Sequence, residues 1–432
     1  MSAAFPAAAV GARRTPDFAP PRAVVALTLA TVAVSFAVSA MALTAMGFHY
    51  DAPGGGLAAK LHPATWLAVI ALALRVALDP RPLRFLAELP RRFPGLALFV
   101  AGLAATVFYA SRVQAQPMAP LIDSFFCGAV FLVLWDEFDA RERLSARRLL
   151  HLVFAANALL ALGEFVSHRR LTPFVAGGHV ILHDYRSTAL LGHPLLNAAS
   201  TGAYVLALRF GGDPSLSRAT RLAAMALQCA AMVAFGGRTA IVLVGFFLAA
   251  GASPAVARTL AGRRFDARMA LAAAFALPLA AALAYVAISG GALDKLAGRF
   301  VDDKGSAAAR LVLFRLFGAF PLSDLLLGPG QDKLVSLQYE NGIEYGIENS
   351  WIGLVLEYGA LAAVLFVVDF LALFAELWAR MGKAAPVLAF VFFALVTSAA
   401  ALDVKSFEFN QFAMIALVMA EGRAPFARRA AP

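Results

Sequence analysis

The residues best able to do chemistry are arginines that stand beside or between apolar stretches. Arg186, Arg238 and Arg310 each lie in a short polar motif of this kind. Guanidinium groups bind phosphate through bidentate, charge-assisted hydrogen bonds and stay charged at any physiological pH. Such a group of arginines predicts a site for a phosphate or pyrophosphate carried on a lipid. The alternative for each arginine is a pairing with a nearby acid or a lipid head group.

Arg238 lies in the segment FGGRTAIV, where a few residues separate two apolar stretches. Its charge is therefore expected at the mouth of a tight hairpin or in a broken helix, where charge at membrane depth favours a function. Gly236 and Gly237 would let the backbone approach a ligand closely. A plain connecting turn is the alternative.

Arg186 opens the segment RSTALLGHPLLN, and the apolar stretch that follows contains unusually many polar residues. Pro194 is expected to kink that stretch. Polar groups in an apolar helix usually face a cavity or another helix. His193 is a candidate ligand-binding residue, although helix packing is its simpler interpretation. The polar residues of this stretch are His193, Asn197, Ser200 and Thr201.

Glu348 lies in ENSWIGLVLEYG, just before an apolar stretch. A carboxylate beside apolar surroundings can act as a general base. The alternative is an acid favoured by the dipole at a helix start, with Asn349 or Ser350 as the N-cap. Glu340 and Glu344 are nearby alternatives for the base. Two further arginines, Arg299 and Arg315, are candidate contacts for a phosphate-bearing substrate.

The composition defines the elements that must hold these residues. Of the 432 residues, 61% are hydrophobic and 15% are charged, whereas soluble domains have about 25% charged residues. This excludes disorder and argues against a large soluble enzyme. The net charge of +10 would suggest nucleic acid in a soluble protein, but loop arginines of a membrane protein chiefly set its orientation. We therefore expect an all-α, polytopic integral membrane protein that binds no nucleic acid.

Apolar runs predict about 12 transmembrane helices with both termini in the cytoplasm. In this arrangement the cytoplasmic segments carry 23 Lys and Arg residues and the outer segments 13, as the positive-inside rule requires. The expected organisation is a cytoplasmic tail at 1–22, nine helices in 23–290, a large periplasmic loop at 291–350, three helices in 351–421 and a cytoplasmic tail at 422–432. The predicted spans are 23–47, 63–78, 94–111, 119–135, 149–166, 188–208, 222–236, 239–252, 269–290, 351–375, 386–402 and 410–421.

The order of these motifs resembles the O-antigen ligase/polymerase superfamily of bacterial inner-membrane enzymes. The family pattern has a short Ser-Arg turn, an Arg-led helix followed by a Pro-Leu-Gly turn in a large periplasmic loop, and a His-Asn start to the next span. Here these parts read GGRT, ARLVLFRLFGAFPLSDLLLGPG and ENSWIGLVLEYG. The chain departs from the pattern at Gly237, where Ser is usual, and at Glu348, where His is frequent. The resemblance covers roughly residues 180–375 in motifs.

The resemblance implies a metal-independent, inverting glycosyltransferase without a cofactor. The donor would be a glycan on undecaprenyl pyrophosphate, with Arg238 and Arg310 holding the pyrophosphate, Arg186 assisting and Glu348 acting as base or positioning the acceptor. Glu348 in place of His favours an exopolysaccharide polymerase, with a flippase and a chain-length regulator as implied partners. A ligase that transfers the glycan to lipid A core or protein is the alternative. A glycan-lipid transporter is a further alternative, but no convincing internal repeat supports it.

Overall fold

The computed structural model describes residues 20–51, 56–114, 116–176, 179–181, 186–211, 213, 215–260, 316–341, 347, 349–398 and 405–419. Within these ranges the chain is helical apart from its connections and one antiparallel pair of two-residue strands, β1 (Val175–Ala176) and β2 (His179–Val180). A π-helical turn at Ala207–Gly211 extends α9. The helices are α1 Arg22–Ala37, α2 Ala40–Ala45, α3 Leu57–Lys60, α4 Pro63–Ala77, α5 Pro82–Arg92, α6 Pro94–Arg112, α7 Ala119–Asp136, α8 Ala140–Ser167, α9 Pro194–Leu206, α10 Arg218–Phe235, α11 Arg238–Leu260, α12 Leu322–Leu327, α13 Gln331–Glu340, α14 Ser350–Tyr358, α15 Ala360–Trp378, α16 Ala385–Ser398 and α17 Glu408–Met419.

Four of these helices, α6, α7, α8 and α15, are long and apolar enough to cross a membrane. Five shorter apolar helices accompany them in the part of the chain that the structure describes. The all-helical prediction is therefore confirmed, whereas the number of 12 spans stays a prediction. The predicted span 269–290 lies outside the described residues.

Two predicted spans are interrupted. The span 23–47 divides at Val38, which is extended, and α2 restarts with Ser39 as its N-cap, since the Ser39 side chain accepts a hydrogen bond from Ala42 N. The span 351–375 divides at Gly359, whose φ of 84° ends α14 before α15 begins. Hydrophobicity does not register such breaks, because apolar residues continue on both sides of them.

Helices α6 and α15 form a close antiparallel pair. Gly95 and Gly102 of α6 leave no room for a Cβ, since one would collide with the Ala372 carbonyl and the Asp369 carboxyl of α15. The Glu376 carboxylate then accepts hydrogen bonds from the first backbone N–H groups of α6, including Gly95 N at 2.8 Å. Glycines thus let these two backbones approach, as in other membrane helix pairs.

At one end of the bundle, which we call the Arg75 end, ion pairs join three connections. Arg75 is buried and binds Glu137 with its Nε 2.5 Å from Oε2, while Arg92 binds Asp136 at 3.0 Å. Arg380 Nε lies 4.0 Å from the same Asp136 carboxylate. The connections at 79–93, 136–148 and 376–385, all predicted on one side of the membrane, therefore share one end.

At the opposite end, the Asp123 end, a buried carboxylate ties several connections together. Tyr50 OH donates to Asp123 Oδ2 at 2.5 Å, and Thr65 Oγ1 and His62 N donate to Oδ1 at 2.7 and 2.9 Å. Lys405 Nζ donates to the Tyr50 carbonyl at 2.7 Å. Burial lowers the pKa of Lys405 to about 8, against the opposing effect of the Asp51 carboxylate. These buried contacts fix the ends of α2, α4, α7 and α17 relative to one another.

Part of the predicted large loop is helical. Phe317 and Leu325 pack on a small separate core that includes Leu316, Phe320 and Leu334. Phe317, in the stretch ARLVLFRLFGAF, therefore contacts protein. PLSDLLLGPG, expected as a turn from the resemblance, contains the short helix α12 between Pro321 and Gly328.

Candidate functional site

The connection between α8 and α9 is arranged around the buried carboxylate of Glu164. The backbone N–H groups of Leu171, Thr188 and Ala189 donate to it at 2.6, 2.9 and 3.0 Å, and the Ser187 hydroxyl donates as well. A buried carboxylate without such donors would cost several kcal/mol. These bonds hold the three residues that directly follow Arg186.

Two asparagines close the rest of this connection. Asn157 of α8 accepts from Leu190 N at 3.0 Å and donates to Asn197 Oδ1 at 2.9 Å. Asn197 Nδ2 in turn donates to the carbonyls of Thr188 and His193 at 2.7 and 3.1 Å. Asn197 is fully buried. Side chains from α8 and α9 therefore hold the segment 188–193 in place.

The expected kink at Pro194 is absent from α9. Pro194 is instead the first residue of the helix, with His193 as the N-cap residue, and 188–193 is a loop. Proline suits this position because its missing N–H has no intrahelical acceptor there. The predicted span 188–208 is thus shorter at its start.

Arg186 and His193 meet at the ring of Phe174. The Arg186 Cζ lies 5.0 Å from the ring centroid, and the His193 ring stands edge-on to it at 5.3 Å. Arg170 contributes a second guanidinium, with Cζ at 5.8 Å from the same ring, and its Nε donates to the Arg186 carbonyl at 2.9 Å. Two guanidinium groups and one imidazole therefore surround one aromatic ring, and the two fixed positive charges of the arginines suit an anionic ligand.

The Gly236–Gly237–Arg238 turn lies against the same loop. Ser187 N donates to Ala234 O at 3.0 Å, which joins the residue after Arg186 to the last turn of α10. Gly236 takes a φ of 67° and ends α10, and α11 begins with Arg238. A Cβ at Gly237 would collide with Ala198 of α9. The two helices are thus separated by a short turn at Gly236 and Gly237, and glycine at 237 permits contact with α9.

Asn349 is confirmed as the N-cap of α14. Its Oδ1 accepts hydrogen bonds from Trp351 N and Ile352 N, both at 3.1 Å. The helix that Asn349 begins contacts α16, which in turn contacts α9 and α11. Through α16, the ENSW motif is part of the same bundle as the Arg186 and Arg238 segments.

Two motifs of the family pattern touch each other. The turn glycine Gly328, from LLLGPG, packs on Gly359, from LEYG. A Cβ at Gly359 would lie 2.4 Å from Gly328 N, and a Cβ at Gly328 would collide with the Gln114 side chain. Gln114, at the end of α6, donates to the carbonyls of Leu327 and Tyr358 at 2.7 and 3.2 Å. The turn and the break between α14 and α15 therefore form one contact.

The remaining predicted site residues are not placed by the structure. Glu348, Arg310, Arg315 and Arg299 lie outside the described residues, as does the alternative base Glu344. Glu340 is exposed at the end of α13. In the described ranges, no group of three His, Cys, Asp or Glu residues could hold a metal ion.

Sequence reasoning missed the residues that position the site. Glu164 gave a usable signal, because a carboxylate inside the predicted span 149–166 favours a specific role. Asn157 in the same span gave a weaker one. Arg170 gave a signal as well, because it lies in a predicted outer segment, where the positive-inside rule does not explain an arginine. Phe174 gave none that separates it from ordinary loop residues, because its role depends on a contact across the loop.

No family model, no curated protein and no solved structure matches the chain. The function is therefore inferred from the chain's own residues and their arrangement.

Proposed function

We propose that the protein is a glycosyltransferase of the O-antigen ligase/polymerase type in the bacterial inner membrane. It joins oligosaccharide repeat units carried on undecaprenyl pyrophosphate into a surface polysaccharide at the periplasmic face. The main support for this proposal is the contact between residues 186–193, which we call the Arg186 loop, and the turn that precedes Arg238. Two guanidinium-bearing segments predicted to bind one pyrophosphate are thereby held together at one end of an apolar helical bundle.

The topology belongs to this proposal. Twelve spans with cytoplasmic termini would place the Arg75 end in the cytoplasm and the Asp123 end in the periplasm. Gly192 of the Arg186 loop lies against Ser39, and Val38 O accepts from the His62 ring, so the arginine site shares the Asp123 end. A lipid-linked donor on the periplasmic side would meet these arginines.

In the proposed reaction, an acceptor sugar hydroxyl attacks the anomeric carbon of the donor glycan. The new carbon–oxygen bond forms as the bond to the pyrophosphate oxygen breaks, with inversion. Glu348 takes the hydroxyl proton or orients the hydroxyl, and Arg238, Arg310 and Arg186 stabilise the charge on the departing undecaprenyl pyrophosphate. Arg315, Arg299, Asn349 and His193 would line the substrate site. A flippase and a chain-length regulator would act before and with this enzyme.

The test is deletion of the protein in its host, followed by mass spectrometry of lipid-linked and surface glycans. We expect single repeat units to accumulate on undecaprenyl pyrophosphate and polymer to disappear. Wild-type protein should restore polymer, whereas Arg238→Ala and Glu348→Gln, at equal protein levels, should not. Arg148→Gln is the matched control, because it removes an exposed arginine from the start of α8, at the Arg75 end.

Other outcomes assign the chemistry differently. Full-length polymer that stays on the carrier would identify a ligase. Loss of periplasmic repeat units, with accumulation on the cytoplasmic face, would identify a transporter and contradict the arginine site. Normal polymer from Arg238→Ala would remove Arg238 from the site.

A further inference from the structure

The short helix α5 has three distinct faces. Phe85 is buried against the bundle, where the Arg75 guanidinium lies 4.5 Å from its ring centroid, and Leu89 is half-buried. A second face carries charge. The third face is apolar and open: Leu83 is 81% exposed and Leu86 43% exposed. With the exposed Ala87 and Pro90, these residues follow the spacing i, i+3, i+4, i+7 of one helical stripe.

The charged face borders the open apolar stripe. Arg84 and Arg91 are seven residues apart and therefore lie one above the other along the edge of the stripe. Both are exposed, and Arg84 also binds Glu88 at 2.8 Å. Residues 81–92 contain four arginines and one glutamate, so the segment is strongly basic. An open apolar stripe edged by arginine is the pattern of a helix lying in the plane of a membrane interface.

The position of α5 in the chain fits this orientation. Helix α5 has 11 residues, too few to cross a bilayer, and it connects the apolar helices α4 and α6 and packs on both. It lies at the Arg75 end, where Arg92 binds Asp136. That end coincides with a membrane surface if α6 and α7 span the bilayer. The stripe then meets acyl chains while Arg84 and Arg91 meet head-group phosphates.

We propose that α5 is an in-plane interfacial helix that binds anionic phospholipid in the leaflet at the Arg75 end. The charge complementarity of arginine and phosphate selects the occupant, since residues 81–92 keep a net positive charge after the ion pair of Arg84 with Glu88 is counted. This inference does not depend on the glycosyl transfer proposed above.

The test uses the full chain in nanodiscs, with a fluorescent bimane on a cysteine. Leu83→Cys and Glu88→Cys are compared in a Cys229→Ala background, where the buried Cys127 is inaccessible to the label. Leu83 packs little, so its replacement should not affect folding. Nitroxide-labelled phosphatidylglycerol should quench the label at 83 and leave that at 88 nearly unchanged. Nitroxide-labelled phosphatidylcholine at the same mole fraction should quench position 83 less.

The lipid preference is tested by charge removal. The pair Arg84→Gln and Arg91→Gln should reduce the preference for phosphatidylglycerol about 25-fold, because each of the two surface arginines contributes about five-fold. The pair Arg141→Gln and Arg148→Gln removes the same charge from exposed positions at the start of α8 and should leave the preference unchanged.

Three results would overturn the proposal. They are no quenching at position 83 by either lipid, equal quenching by the two lipids in the wild type, and an equal loss of preference in both arginine pairs.

Discussion

At the scale of single residues, Glu164 organises the site without being predicted to touch substrate. Four donors converge on its carboxylate, and three of them belong to the segment directly after Arg186. Removing the charge should therefore affect the Arg186 loop before it affects the fold of α8. A variant of Glu164 therefore tests whether the position of the Arg186 loop matters, without removing a side chain predicted to contact the ligand.

Glu164→Gln is predicted to lower the stability of the protein by about 1–3 kcal/mol, since the amide NH₂ faces donors and leaves at least one of them unsatisfied. Polymer yield should fall with it. The measurement is the thermal unfolding midpoint in detergent together with polymer yield in the deletion host. Glu88→Gln, in an exposed ion pair, should stay within about 0.5 kcal/mol of the wild type. Unchanged stability and yield in Glu164→Gln would contradict the role of the carboxylate.

At the scale of elements, Gly359 separates α14 from α15 and contacts the turn at Gly328. A Cβ at Gly359 would lie 2.5 Å from the Leu327 carbonyl carbon, and the φ of 84° is unfavourable for other residues. Gly330, two residues after Gly328, has a similar φ of 79° but open space around its Cβ position. A comparison of alanine variants at Gly359 and Gly330 therefore distinguishes the cost of backbone strain from the cost of steric collision.

Gly330→Ala is predicted to cost about 1–3 kcal/mol through backbone strain alone, because φ of 79° and ψ of 149° suit almost only glycine. Gly359→Ala should cost clearly more, because the turn at 326–328 must also move. Unfolding midpoints of the two variants, measured side by side in detergent, test this difference. Equal midpoints would show that the contact between the two turns contributes nothing to the stability of the protein.

Much of the helical framework is predictable from sequence, whereas its interruptions are not. Long apolar runs such as 94–111 and 119–135 correspond closely to α6 and α7, because burial in a membrane or a core demands the same composition. The divisions at Val38 and Gly359 depend on contacts with other segments. The same limit applies to Phe174, whose neighbours Arg170, Arg186 and His193 come from different parts of the loop.

At the scale of the whole molecule, the assignment of the Arg75 end and the Asp123 end to opposite sides of the membrane can be tested. Ser323 of α12 and Ser145 of α8 are both exposed. Ser323 lies in the helix whose final turn is held by Gln114, whereas Ser145 lies near the ion pairs of Asp136 and Glu137. The proposed topology puts the two serines on opposite sides of the membrane.

A cysteine at Ser323 is predicted to react with an impermeant thiol reagent in cells with a permeabilised outer membrane. A cysteine at Ser145 should react only after the inner membrane is opened. Labelling is read by gel shift, with both variants in the Cys229→Ala background. The reverse labelling pattern would reverse the proposed membrane topology and place the arginine site on the cytoplasmic side.

The contact between Gly328 and Gly359 also limits how this part of the molecule can move. A Gly-Pro-Gly turn is usually taken for a hinge. Here, however, the turn packs directly against the start of α15. The Gln114 side chain also donates hydrogen bonds to the backbone carbonyls of Leu327 and Tyr358. Any swing of residues 326–330 would drag α15 and, with it, the tightly paired α6. The two glycines therefore join the turn firmly to the start of α15, and we expect no hinge at residues 326–330.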